Sequence, residues 1–163
     1  MRGRIAADAG PLIGLARAGL LDLLQKLYGT AAVPPAVLEE LRLGEDRPGS
    51  RVLRTAHKTG WLVEVRPKDL DLISEIGRLV GPGEAAAIAL AEERGWPILL
   101  DERRGRGVAR LRGVSVIGTG GVLLLAKEGA HLSRVGPSLR KLADAGYRLA
   151  PTLQAEILRL AGE

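Results

Sequence analysis

Residues Pro97-Ile98-Leu99-Leu100 form a run without a polar side chain, stopped at once by Asp101. A strand with one wet face alternates polar and apolar residues. An unbroken apolar run of this length suits a strand covered on both faces, as in a parallel sheet flanked by helices. Parallel neighbours need long crossovers, usually helical, and the rest of the chain supplies them. Short apolar segments at 4–7, 31–33, 61–65 and 114–117 alternate with stretches of helical periodicity at 20–28, 34–43, 50–58, 69–80, 84–94, 102–112 and 119–129. This alternation predicts an α/β fold, a three-layer α/β/α sandwich around a mostly parallel sheet of about five strands. Beyond residue 130 only helices are expected, at about 137–145 and 151–161. The second needs a surface to dock on, because Leu153, Ile157, Leu158 and Ala161 share one side. That surface is either the chain's own or a second subunit's. The expected division is a domain of residues 1–130 with 131–163 as its helical extension.

The core of such a fold must here be aliphatic, since the chain has no Phe, two Trp and two Tyr in 163 residues. The absence of cysteine excludes disulfides, thiolate nucleophiles and Cys-ligated metal clusters, and suits a reducing, cytoplasmic setting. Asp8, Gly10-Pro11 and Arg17 interrupt any signal-peptide core, and no apolar run approaches the length of a membrane span. The net charge of +5 favours polyanionic partners.

Chemistry is sought first at strand ends, because open α/β sheets bind ligands at the carboxyl ends of their strands. Asp8 follows the first strand and Asp101 follows the apolar one, so the sheet brings both to one edge. Asp8 has a plainer reading as the cap of the next helix. Glu84 opens the most apolar helix, which can start at the same edge. For Glu39 and Glu40 the helix decides. At about 100° per residue, Val37, Leu38 and Leu41 mark the buried arc, Glu40 borders it and Glu39 points away. Converging carboxylates need a proton or a cation between them. An all-oxygen set suits Mg²⁺ or Mn²⁺, which can activate water against a phosphodiester. Arg103, Arg104, Arg106, Arg110 and Arg112 would then form a track for a polyanion.

Other motifs fail. Gly113 to Gly118 is out of step with a nucleophile elbow, and there is no phosphate loop. Gly81-Pro82-Gly83-Glu84-Ala85-Ala86 matches a dinucleotide fingerprint but follows a helical pattern and carries a carboxylate into the loop. A receiver-type phosphoacceptor lacks its Lys, with Gly118 and Thr119 after the last strand.

Four segments in order carry a resemblance. Asp8-Ala9-Gly10-Pro11-Leu12-Ile13 resembles the opening motif of PIN-domain ribonucleases, and Val33 to Leu41 their second acidic motif. Glu84 to Ala91 and Ile98 to Arg104 are similar to the third and fourth. The likeness is closest to a prokaryotic, VapC-like subgroup. It implies an endoribonuclease dependent on Mg²⁺ or Mn²⁺, often a homodimeric toxin held inactive by a small antitoxin protein. By position, Asp8, Glu40, Glu84 and Asp101 would be its metal-binding carboxylates. The basic run after Asp101 would then offer Arg103, Arg104 and Arg106 as RNA contacts. The third motif has Glu84 where most such nucleases have Asp, and Arg103 stands where a further polar ligand is usual. Glu102 and Thr119 are the candidates to fill that role. The competing expectation is a PIN-like module that binds nucleic acid or protein without cleaving.

Overall fold

The computed structural model describes residues 3–163. Among these residues five strands, β1 (Gly3–Ala7), β2 (Gly29–Val33), β3 (Leu62–Glu64), β4 (Ile98–Leu99) and β5 (Val116–Ile117), form one all-parallel sheet in the order β3-β2-β1-β4-β5. The chain builds outward from β1 in one direction, returns, and builds outward in the other. The reversal falls between β1 and β4, and in such sheets the crevice for a ligand opens there.

Among the described residues ten helices connect and cover the strands. They are α1 (Ala9–Arg17), α2 (Asp22–Tyr28), α3 (Pro35–Leu41), α4 (Ser50–Lys58), α5 (Leu70–Ile76), α6 (Pro82–Arg94), α7 (Arg103–Leu111), α8 (Thr119–Glu128), α9 (Gly136–Asp144) and α10 (Pro151–Ala161). Ile5, Ala6 and Ala7 of β1 and Ile98, Leu99 and Leu100 around β4 are all fully buried. Neighbouring side chains in a strand point to opposite faces, so both faces of the sheet centre are covered and the three-layer arrangement follows. The expected reason for the apolar run at 97–100 therefore holds.

Small residues solve the problem of a core without Phe. Ala6, Ala7, Ala31 and Ala32 line the middle strands, and α6 lies against β1 with Ala85, Ala86, Ala87, Ala89 and Ala91 buried. Alanine against alanine lets backbone layers approach closely and fill space that large rings would otherwise occupy. Gly95, at φ 67°, ends α6 in the left-handed conformation that a residue with a Cβ adopts at a cost.

Two expected helices differ from their apolar patterns, one in length and one in which residues it buries. The helix expected over 69–80 stops at Ile76, and Leu79, assigned to its apolar side, is 49% exposed. Leu153, assigned to the docking side of α10, is likewise 46% exposed. The helix docks through the other three residues of that side, Ile157, Leu158 and Ala161, with Ile157 entering a notch on α8. A Cβ on Gly120 would overlap the Ile157 Cδ1 atom and lie 2.9 Å from Cγ1. Glu163 fixes the far end, accepting the N–H groups of Val135 at 2.7 Å and Gly136 at 3.0 Å and pairing with Lys127 at 2.9 Å. The last helix thus packs on its own chain. Truncating a buried Ile to Ala costs about 2–5 kcal/mol, so Ile157→Ala is expected to lower the urea midpoint, with the free energy of unfolding falling by that amount. An unchanged midpoint would show that α10 is not docked.

Among the described residues no helix is long and apolar enough to cross a membrane.

Candidate active site

The register places the two strand-end carboxylates side by side. Ala7 is level with Leu99, and Asp8 donates its N–H to the Leu99 carbonyl at 3.0 Å. Asp8 occupies the N-cap position of α1 with extended backbone angles, yet its side chain makes no capping hydrogen bond. The capping explanation for this residue therefore fails, and its carboxylate is left in the crevice. Burial raises its pKa to about 6; the Ala9 N–H opposes this, and the charges of Glu40, Asp101 and Glu102 reinforce it.

Glu84 stands in the first turn of α6, one residue beyond Gly83. Its pKa rises to about 7, first through burial and then through the charges of Asp8 and Glu102. Its Oε2 is buried without a hydrogen-bond partner. A buried acceptor left unmade is costly and calls for a proton, water or cation. Glu102 is close enough to share that proton. It caps α7, accepting the N–H of Arg104 at 3.1 Å and of Gly105 at 2.7 Å, and these bonds hold its own pKa below the ordinary range.

Glu40 reaches the same group from α3. Its residue is exposed overall, but the carboxylate lies against Gly83, where a Cβ would overlap Oε1 and sit 2.9 Å from Cδ. Its charge acts on both Asp8 and Glu84. The angular argument that preferred Glu40 to Glu39 thus selects the carboxylate that joins the others.

Asp101 is the most firmly held. Its Oδ1 accepts the Thr119 N–H at 2.8 Å, and its Oδ2 accepts the hydroxyls of Thr119 and Tyr147. Thr119 is fully buried at the start of α8. Tyr147 arrives from the segment between α9 and α10, and its ring rests on α1, where a Cβ on Gly14 would lie 2.6 Å from two ring carbons.

The sequence reading overlooked four contributors. Gly83, Gly105 and Gly118 each leave the room that a candidate carboxylate fills. A Cβ at Gly105 would overlap Glu84 Oε2, and one at Gly118 would lie 2.7 Å from Asp101 Oδ1. The signal available was a glycine beside each acidic motif. Tyr147 is the fourth, and its signal was scarcity, as one of two tyrosines in the chain.

The arginines divide. Arg103, Arg106 and Arg110 line a groove of about 520 Å³ that starts at Asp101 and has an opposite wall of Leu149, Leu153 and Ile157. Arg106 is partly fixed, donating from Nη1 to the Leu100 carbonyl at 2.8 Å. Arg104 is exposed and does not line this groove. Arg112 does not belong to the track. It pairs with Glu92 at 2.6 Å and Glu75 at 3.6 Å, beyond the far end of α7. A helix of this length carries its end roughly 13 Å from its start.

Among the described residues no three acidic or imidazole side chains are gathered tightly enough to hold a metal ion. The donor set nevertheless fits one in kind. It is all oxygen, it contains a buried unpartnered carboxylate atom, and two of its members are pushed toward neutrality, first by burial and then by the charges of the others. The sheet, its switch point and this carboxylate edge define a parallel α/β protein with an acidic crevice. A family profile described as a PIN domain matches residues 4–163, and the chain belongs to the PIN-domain family. PIN domains are generally nucleases and generally use divalent metal ions. A comparison with curated proteins finds no match.

Proposed function

We propose that this chain is an endoribonuclease dependent on Mg²⁺ or Mn²⁺, with Asp8, Glu40, Glu84 and Asp101 as its metal-binding carboxylates. The observation that carries the reading is the buried, unpartnered Oε2 of Glu84 beside Asp8, Glu40 and Glu102. Bound there, the cation would supply Lewis acidity, lowering the pKa of water and offsetting charge that develops on the phosphate. Asp8, Glu40, Glu84 and Asp101 would hold it. Glu102, kept ionised by two backbone N–H groups, can accept a hydrogen bond from the proton that Glu84 carries while no cation is bound. Thr119 fixes Asp101, and Arg103, Arg106 and Arg110 would orient the phosphates of an RNA strand entering the groove. Arg104 could meet the strand only outside the groove.

Support for residues 131–163 belonging to the same unit comes from Ile157 on α8 and Tyr147 on Asp101. The finer placement rests on the resemblance of the four acidic motifs. It makes the chain a VapC-like toxin, homodimeric in the cytoplasm and restrained by a small antitoxin protein.

The test is incubation of the purified chain with RNA in Mg²⁺, in Mn²⁺ and with a chelator. Cleavage is expected with either ion, to stop with the chelator and to be missing in folded Asp8→Asn. A chain that binds no divalent ion at millimolar concentration overturns the proposal. The wide spacing of the carboxylates favours a second reading, a module that binds nucleic acid without cutting. That module would show salt-dependent RNA binding indifferent to the chelator.

A further inference from the structure

Asp101 differs from the other three carboxylates in how completely it is bonded. A carboxylate offers about four acceptor positions. Three are used here, with the Thr119 N–H on Oδ1 and two hydroxyls, from Thr119 and Tyr147, on Oδ2. Oδ2 is therefore saturated, and one position remains on Oδ1. The two hydroxyls come from separate places. Thr119 opens α8, whereas Tyr147 lies 46 residues beyond Asp101 in sequence. The phenol is built into its position. Its ring fills the space left by Gly14, Gly146 turns the chain at φ 87°, and the Tyr147 N–H bonds to the Leu142 carbonyl at 2.9 Å. Burial and the neighbouring Asp101 charge push the phenol far above its usual range, so it stays a donor.

We infer that Tyr147 is a positioning residue that restricts Asp101 to coordination through one oxygen, so that the site favours a small cation over a large one. This rests on the proposed metal centre. Ca²⁺ takes carboxylates readily in two-oxygen mode and tolerates irregular geometry, whereas Mg²⁺ demands a compact octahedron with single-oxygen ligands. Freeing Oδ2 opens the two-oxygen mode and shifts preference toward Ca²⁺. The outer hydrogen-bond partners of metal ligands are commonly worth tenfold or more in affinity.

The experiment is calorimetric titration of MgCl₂ and, separately, CaCl₂ into the metal-free full chain as wild type, Tyr147→Phe and Thr119→Val. Tyr147→Phe keeps the ring on Gly14, and Thr119→Val keeps the buried volume. Each removes one hydroxyl from Oδ2. In both variants the ratio of Ca²⁺ to Mg²⁺ affinity is expected to rise by roughly tenfold. A structural role for the ring would weaken both ions alike. An unchanged ratio in a wild type that does bind cations overturns this inference and leaves the metal centre standing. A wild type that binds neither ion overturns both. Should Tyr147→Phe fail to fold, the ratio in Thr119→Val decides.

Discussion

Glu84→Gln is expected to make the metal-free protein more stable at pH 8 while reducing RNA cleavage by at least about a hundredfold. The two effects share one cause. Glu84 has a folded pKa near 7 against an ordinary value of 4.5, because burial and the charges of Asp8 and Glu102 disfavour its ionised form. A carboxyl whose folded pKa is raised contributes stability that is fully present below about 4.5 and lost as pH rises through about 7. Asp8 adds the same trend between its ordinary 3.8 and about 6. Glu163 runs the other way. Its pKa is held near 2 by the N–H groups of Val135 and Gly136 and by Lys127, so its contribution is present above about 4.5 and lost in strong acid. The metal-free protein should therefore be most stable near pH 4.5 and weaken toward pH 8. Glutamine is neutral throughout and its amide can donate to Glu102. Allowing for the partial exposure of the site, the gain at pH 8 is on the order of 1–2 kcal/mol, or roughly 3–6 °C in melting temperature. Melting curves of wild type and variant should converge near pH 4.5 and separate as pH rises. Mg²⁺ or Mn²⁺ at a hundred times its Kd should raise the wild type by roughly 5–10 °C at pH 8 and leave the variant nearly unmoved. A variant that is less stable than wild type at pH 8 would mark Glu84 as a structural residue and not a ligand.

How much of this could be read from the sequence depends on the range of the interaction concerned. Asp8 and Asp101 were legible because a parallel sheet sends every strand's carboxyl end to one edge, whatever the details of packing. Glu40 was legible through the helical angle, a local property of seven residues. Tyr147 was not, since its bond to Asp101 closes a loop of 46 residues and no periodicity announces it. Arg112 was misplaced for a related reason. Charge clustering in sequence says nothing of where a helix ends, and the helix carries this residue away from the crevice to Glu92 and Glu75. The end of α5 was overestimated because Leu79 and Val80 fit its period, although the chain leaves the helix at Gly77. Gly83 and Gly118 stood out in the sequence only as members of motifs that fail. In the fold their value is the missing Cβ, which depends on what side chain approaches from elsewhere.

That last point separates stability from function and can be tested along a series. In Gly83→Ala the nearest atoms to the new Cβ are those of the Glu40 carboxylate, the end of a flexible, exposed side chain that can swing away. Alanine also suits the first turn of α6 better than glycine, by up to about 1 kcal/mol. Stability by urea denaturation should therefore be unchanged or slightly higher, while cleavage falls roughly tenfold to a hundredfold because Glu40 has left the group. Gly118→Ala meets a different neighbour. Its Cβ would stand 2.6 Å from Arg106 Nη1 and 2.7 Å from Asp101 Oδ1. Asp101 is tied by Thr119 and Tyr147, and Arg106 by the Leu100 carbonyl, so neither can yield cheaply. The backbone of Gly118, at φ −96°, is open to alanine, so any cost is steric. Such overpacking costs about 1–3 kcal/mol, and here stability and cleavage should fall together. If Gly83→Ala retained full cleavage, Glu40 would not be part of the active group. If Gly118→Ala were as stable as wild type, the rigid seating of Asp101 would be wrong. The two variants differ by one methyl group at each of two glycines, and only the mobility of the facing carboxylate predicts that their stabilities part.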